Sequence, residues 1–198
     1  MMKTQENQIP YRRKPARLRG VFFWLLAFSF MGQAGFAQPV PVMRDNVMVE
    51  AARRGDVEGV KLAAANGMRA DRQGVNGLSP LHVAAQFGRT EVVAALLSMT
   101  KKVDHRDRDR QTALGHSVVY GHGDIVILLL AAGADPDRSG PNYEPPLVVA
   151  ARQGNLAIVQ ALLEAGADTT LGDNTGRTAL QWARSARHGK IIAALEAR

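Results

Sequence analysis

The sequence contains no cysteine. That excludes disulfides, thiolate metal sites, thiol nucleophiles and a lipid-modified cysteine anchor, and it leaves a fold indifferent to redox state. A run long enough to span a bilayer is also missing: the longest apolar stretch, Val21 to Met31, falls well short of the ~20 residues a membrane helix needs. Motifs of known chemistry are absent too. There is no Gly-x-Ser-x-Gly, no His-Glu-x-x-His and no glycine loop fit to cradle phosphate. Even the positive charge is scarce where a nucleic-acid footprint would need it. Of the net +7, residues 1–37 carry +5, from Lys3, Arg12, Arg13, Lys14, Arg17 and Arg19 against Glu6. The remainder, at +2, offers no basic stripe for nucleic acid.

Residues 1–37 have the order of a secretory signal: a basic segment up to Arg19-Gly20, the apolar run, then Gly35-Phe36-Ala37 as a small-x-small cleavage site. Cleavage there makes Gln38 the new terminus. An uncleaved anchor is the alternative, since Gly32 to Ala37 extends the run. Arg12-Arg13 invites a twin-arginine reading, but Lys14-Pro15-Ala16 lacks the apolar pair that would support it. Residues 38–45 hold two prolines and read as an extended linker.

From Asn46 onward the chain repeats itself. One leucine recurs at Leu81, Leu114, Leu147 and Leu180, and one glycine at Gly55, Gly88, Gly121 and Gly154, each at steps of 33 residues. Leu96-Leu97, Leu129-Leu130 and Leu162-Leu163 keep the same register, and Gly67, Gly133 and Gly166 fall into it as well. The segments Ser79-Pro80-Leu81-His82-Val83-Ala84-Ala85 and Ala132-Gly133-Ala134-Asp135 resemble the ankyrin repeat. The resemblance covers residues 46–198 and implies an all-α solenoid of stacked helix-turn-helix units with short β-hairpin loops, about five repeats including caps. The expected units are a cap at 46–74, repeats at 75–107, 108–140 and 141–173, and a C-terminal cap at 174–198.

Within each unit the residue types fit that plan. Asn46, Ser79, Thr112 and Thr178 stand where a side-chain oxygen caps a first helix, and Pro80 suits its first turn. Gly88 ends that helix in a left-handed turn. Val92, Val93, Leu96 and Leu97 then spread a wide apolar face over the second helix. Several positions depart from the pattern. Lys101-Lys102 interrupts the first full repeat, Glu144-Pro145-Pro146 opens the third without a hydroxyl, and Arg187 replaces the fourth closing glycine.

The five histidines are scattered. His82 holds a motif position where ankyrin histidines tie adjacent loops and helices. His116 and His122 are six apart, which does not align on a helix face as metal ligands four apart would. Lys101 to Arg110 alternates in sign. It reads as a solvated loop tip, or as a surface whose Arg106, Arg108 and Arg110 meet acidic groups on a partner.

The resemblance also implies a binding face, made of positions flanking the loop tips and preceding each closing glycine. In the first full repeat these are Asn76, Leu78, Gln86 and Phe87; in the second, Arg108, Asp109, Gln111 and Tyr120; in the third, Asn142, Glu144, Arg152 and Gln153. Phe87 and Tyr120 share one slot on consecutive repeats and are expected side by side, either as anchors for a partner or packed on their own helix pair. The function implied is an exported, non-catalytic protein-protein interaction module that binds on its concave face as a monomer. It needs no cofactor, metal, nucleic acid or, after cleavage, membrane. The alternative is a secreted effector, toxin or antidote built on the same repeats. Exported bacterial ankyrin proteins similar to this one have been linked to catalase and oxidative defence, which makes catalase one candidate for the unidentified partner. A Sec-type bacterial signal would place it in the periplasm or outside the cell.

Overall fold

The polar residues that open the units do take over for missing helical partners. In the computed structural model, which describes residues 46–74 and 77–198, Asn46 accepts the Val49 amide at 2.9 Å and starts α1 (Val47–Arg54). Asp56 does the same for α2 (Val57–Ala65), and Ser79 caps α3 (Pro80–Gln86) in a box with the His82 ring. Thr112 caps α5 (Ala113–Val119), Asn155 caps α8 (Leu156–Glu164), and Thr178 caps α9 (Ala179–Ser185) in a box with Gln181. The others, α4 (Thr90–Met99), α6 (Gly123–Ala131), α7 (Pro146–Gln153) and α10 (Gly189–Glu196), have no side-chain cap. Pro146 at the first position of α7 removes one donor that a cap would have served. The expected signal of residues 1–37 with its cleavage site at Gly35–Ala37, the expected linker 38–45 and Asn76 lie outside the described residues, as does the side chain of Asn142.

The helices form two rows. Each odd-numbered helix packs on the next odd one, each even on the next even, and the pairs are joined within a repeat. Leu81, Leu114 and Leu147 lie in the odd row at 3 %, 1 % and 1 % exposure, beside the alanine pairs Ala84-Ala85 and Ala150-Ala151. Those small side chains let neighbouring helices approach closely. The even row contributes Val93, Leu96, Val126, Leu129, Val159 and Leu162, all sealed from water. Leu180, on a helix with a stacking neighbour on one side only, is half-buried.

Closing turns keep the left-handed conformation throughout. At Gly88, φ is 68° and a Cβ would stand 2.8 Å from the His122 ring, so both backbone freedom and the missing side chain are used. Arg187 adopts the same turn at φ 59° in the last unit, and Gly189 instead begins α10. The substitution costs strain without removing the turn.

The loops are short and tight, in keeping with the short hairpins that the resemblance implies. Each is closed at its tip by two backbone bonds: Gly74 donates to Leu78, Asp107 to Gln111, Gly140 to Glu144 and Asp173 to Arg177, while Gly77, Arg110, Tyr143 and Gly176 donate back to the carbonyls of Gly74, Asp107, Gly140 and Asp173. Among the described residues the strand pairing is a single bridge between Gly172 and Thr178. Loops are instead stitched to one another by carboxylates. Asp104 accepts the Asp135 amide, Asp137 accepts the Asp168 amide, and Lys102 pairs with Asp71 at 2.9 Å. The departure at Lys101-Lys102 thus brings an ion pair to this joint. No helix among the described residues is long and apolar enough to cross a membrane.

Candidate functional site

The C-terminal ends of the odd helices present Phe87 and Tyr120 in one slot, 45 % and 52 % exposed. Both are the residues at which a helix has just ended, so neither ring is drawn into the apolar seam. Their surroundings hold them in place. The Gln86 amide donates to the Tyr120 hydroxyl at 3.0 Å, the Tyr120 ring stacks on His122 at 6.5 Å, and the Arg53 guanidinium lies over Phe87 at 6.0 Å. Gln153, next in the column, donates to the Val119 carbonyl at 2.9 Å. The rings are therefore exposed yet oriented, and little rotamer freedom remains to be lost on contact with a partner.

Toward the loop tips the same face deepens into a cleft of about 230 Å³, lined by Val118, Val149, Pro146, His116, Tyr120 and Glu144 among others. Gln111 was expected on the open surface, and the structure corrects this: it is 8 % exposed. Its amide is wedged where a Cβ on Gly115 or Gly140 would collide with it, and its Oε1 has no hydrogen-bond partner. Gly115 occupies the repeat position of His82, so the missing imidazole leaves the space that Gln111 fills. Leu78 and Glu144, at the equivalent position in the flanking repeats, are half-buried. Arg108 and Asp109 are exposed at the second tip.

Two tips are built around a buried carboxylate. Asp107 takes the amides of Asp109 and Gln111 on Oδ1 and the His116 ring on Oδ2 at 2.8 Å. Asp173 repeats the arrangement, taking the Thr175 and Arg177 amides and the Trp182 indole N–H. The Thr175 hydroxyl, with the indole behind it, holds the Asp173 carboxyl at about 2 against the opposing effect of desolvation. The guanidinium groups of Arg152 and Arg177 each lie over the Trp182 ring, at 5.4 and 5.1 Å, and Arg152 also forms a two-point pair with Glu144. Trp182 was missed as a site residue. Its signal was positional, since it stands two periods after His116 and each follows its aspartate by nine residues.

His82 plays the tying role. Its Nδ1 accepts from Ser79, which leaves Nε2–H to donate to the His105 carbonyl at 2.9 Å and the Gln111 carbonyl at 3.2 Å. Burial, helped by the nearby His116, lowers its pKa to about 4, so the ring is neutral. His105 bonds to Gln73 and His116 to Asp107. Among the described residues no group of three or more histidines, aspartates and glutamates is arranged to hold a metal ion.

A family model described as ankyrin repeats, three copies, matches residues 48–140 and 132–196. The chain is 35 % identical over 141 residues, 68 % of its own length, to the ankyrin repeat and KH domain-containing protein mask-1 of Caenorhabditis elegans, of which it spans 5 %. It is 30 % identical over 131 residues, 66 % of its length, to a putative ankyrin repeat-containing protein of Treponema pallidum, spanning 44 % of that protein. It is 39 % identical over 102 residues, 52 % of its length, to the ankyrin repeat and SOCS box protein 11 of Danio rerio, spanning 34 % of it. The period of 33, the two-row stack and the family match agree, and the chain belongs to the ankyrin repeat family.

Proposed function

We propose that this chain is an exported, non-catalytic module that holds a partner protein on the face formed by its odd helices and loop tips, the face that is concave in ankyrin stacks. The Phe87–Tyr120 pair carries this reading: two neighbouring aromatics, exposed but fixed by Gln86, His122 and Arg53. Aromatics and arginine beside a cleft are what binding hot spots favour. A rigid stack loses little conformational freedom on association, which supports recognition without catalysis. Export is supported by the basic segment, apolar run and small-x-small site of residues 1–37.

The decisive experiment measures melting and partner capture on the same variants, with the partner obtained by crosslinking in the native compartment. Tyr120→Ala is expected to weaken capture by about 2 kcal/mol or more while barely moving the melting temperature. Marked destabilisation with unchanged capture would mean that the rings serve packing alone. For export, the intact mass and N-terminal residue of secreted material should show a chain starting at Gln38. A full-length chain that pellets with membranes would favour the anchor instead.

A further inference from the structure

The tip of every loop requires a left-handed residue at one register position. Gly77 and Gly176 supply it in the outer tips, at φ 75° and 77°. The two middle tips instead carry Arg110 at φ 65° and Tyr143 at φ 59°. A long cation and an aromatic are poor choices for this conformation, and glycine was available within the same array. Strain of this kind persists where the side chain it displays is useful. Both side chains are indeed displayed: Arg110 is exposed, and Tyr143 is 66 % exposed.

The two are also organised. The Arg110 guanidinium lies over the Tyr143 ring at 5.6 Å, and Arg108 reaches back across Gly77, where a Cβ would come within 2.6 Å of its Cγ. A shallow cleft opens between Arg108, Asp109, Arg110, Gly140, Pro141 and Tyr143. Among the described residues neither Arg108 nor Arg110 makes an ion pair with a carboxylate. Asp107, the buried acid that precedes Arg108, has both oxygens spent on Asp109, Gln111 and His116. Two oriented guanidinium groups therefore face solvent without an internal counter-charge, apart from exposed Asp109 beside them.

We infer that the second and third loop tips form a docking surface for a carboxylate-rich segment of a partner protein. An aromatic-backed guanidinium keeps its N–H edges free for a planar carboxylate, which it can meet with two parallel bonds. Pro141 and Tyr143 add apolar contact for the stem of such a segment. A polyphosphate backbone fits less well: residues 46–198 are nearly charge-balanced, and two cations flanking an aspartate are not a stripe. The inference rests on the protein-binding function proposed above and deepens it at the loop tips, where Arg110 and Tyr143 join Arg108, while the Phe87–Tyr120 pair is not used.

The test uses the full chain and a fluorescein-labelled glutamate-rich peptide, with its glutamine twin and a poly-uridine RNA as the other arms. The glutamate peptide should bind, and added salt should weaken it. Arg108→Gln, Arg110→Gly and Tyr143→Gly should each reduce binding about tenfold, while Lys190→Gln, an equal charge change on α10, should not. Glycine relieves the strained backbone, so Arg110→Gly and Tyr143→Gly should leave the melting temperature unchanged or raise it. Glutamate peptide that fails to bind, binds no better than its glutamine twin, or is outcompeted by RNA overturns the proposal. So does a fall in melting temperature with unchanged peptide binding, because the Arg–Tyr contact would then be a structural tie. Neither result touches Phe87 and Tyr120, whose test is partner capture.

Discussion

Leu114 and Leu180 occupy the same position of their repeats, yet the stack gives them different neighbours. Leu114 is 1 % exposed on α5, which packs against α3, α6 and α7. Replacing it with alanine removes three buried carbons, about 2.4 kcal/mol of transfer free energy, before any cavity is counted. The neighbouring helices are held from both sides and cannot collapse into the gap, so the total should reach about 3–4 kcal/mol, near the middle of measured Leu→Ala costs. Leu180 is half-buried on α9, which among the described residues packs on α7 and α10 alone. Part of the transfer term is already forgone there and the cavity can relax, which leaves about 1–2 kcal/mol. Urea titrations followed by circular dichroism compare the two directly, and thermal melts should show Leu114→Ala lower by roughly 10 °C. The Leu114 variant should also have a smaller urea dependence, since a central lesion uncouples the two ends of a linear array. Equal losses at the two leucines would refute the nearest-neighbour picture.

Three further outcomes follow from local geometry. His82 has a folded pKa lowered to about 4 from 6.5, so the unfolded chain takes up the proton first as pH falls. Stability is full above 6.5 and declines between 6.5 and 4, by roughly 2–3 kcal/mol from this group. His82→Gln keeps a capping-box partner, as Gln181 shows, and should flatten that decline in pH-dependent urea melts. Arg187 holds a left-handed turn at φ 59°, so Arg187→Gly should stabilise the C-terminal unit by about 0.5–1 kcal/mol, read from its melting curve. At Gly140 a Cβ would fall 1.7 Å from the Gln111 Oε1; Gly140→Ala should therefore displace that amide and destabilise, and adding Gln111→Ala should recover the loss in a double-mutant cycle.

Much of this fold was legible because the same physics is written at each period. The closing turn announces itself as glycine at Gly55, Gly88, Gly121 and Gly154, and all four adopt positive φ. The slot shared by Phe87 and Tyr120 could be read the same way, from where each helix must end. Gln111 could not. Its burial depends on an imidazole missing at Gly115 and on a glycine at Gly140, one in its own repeat and one in the next loop. Both are three-dimensional coincidences that a local pattern does not carry. Arg187 was legible as a departure but not in its consequence: the surrounding stack imposes the turn even on a residue that resists it. The short loops were legible from the same period, and each closes at its tip by two backbone bonds, which leaves room among the described residues for one bridge, Gly172 to Thr178.

The carboxylate joints between loops make the array interchangeable in whole units. Asp104 meets the Asp135 amide and Asp137 meets the Asp168 amide, each across 31 residues. Excising residues 108–140 in frame would bring Asp168 to the place of Asp135, and Asp104 would find the same donor there. The closing turns splice as simply: Arg89 reaches the Arg53 carbonyl and His122 the Gln86 carbonyl, both across 36 residues. The wedge of Gln111 against Gly140 falls within residues 108–140 and moves as part of one unit. A cut that fell between those two positions would set Gln111 against Asp173, where the buried amide would meet a carboxylate in place of an empty glycine.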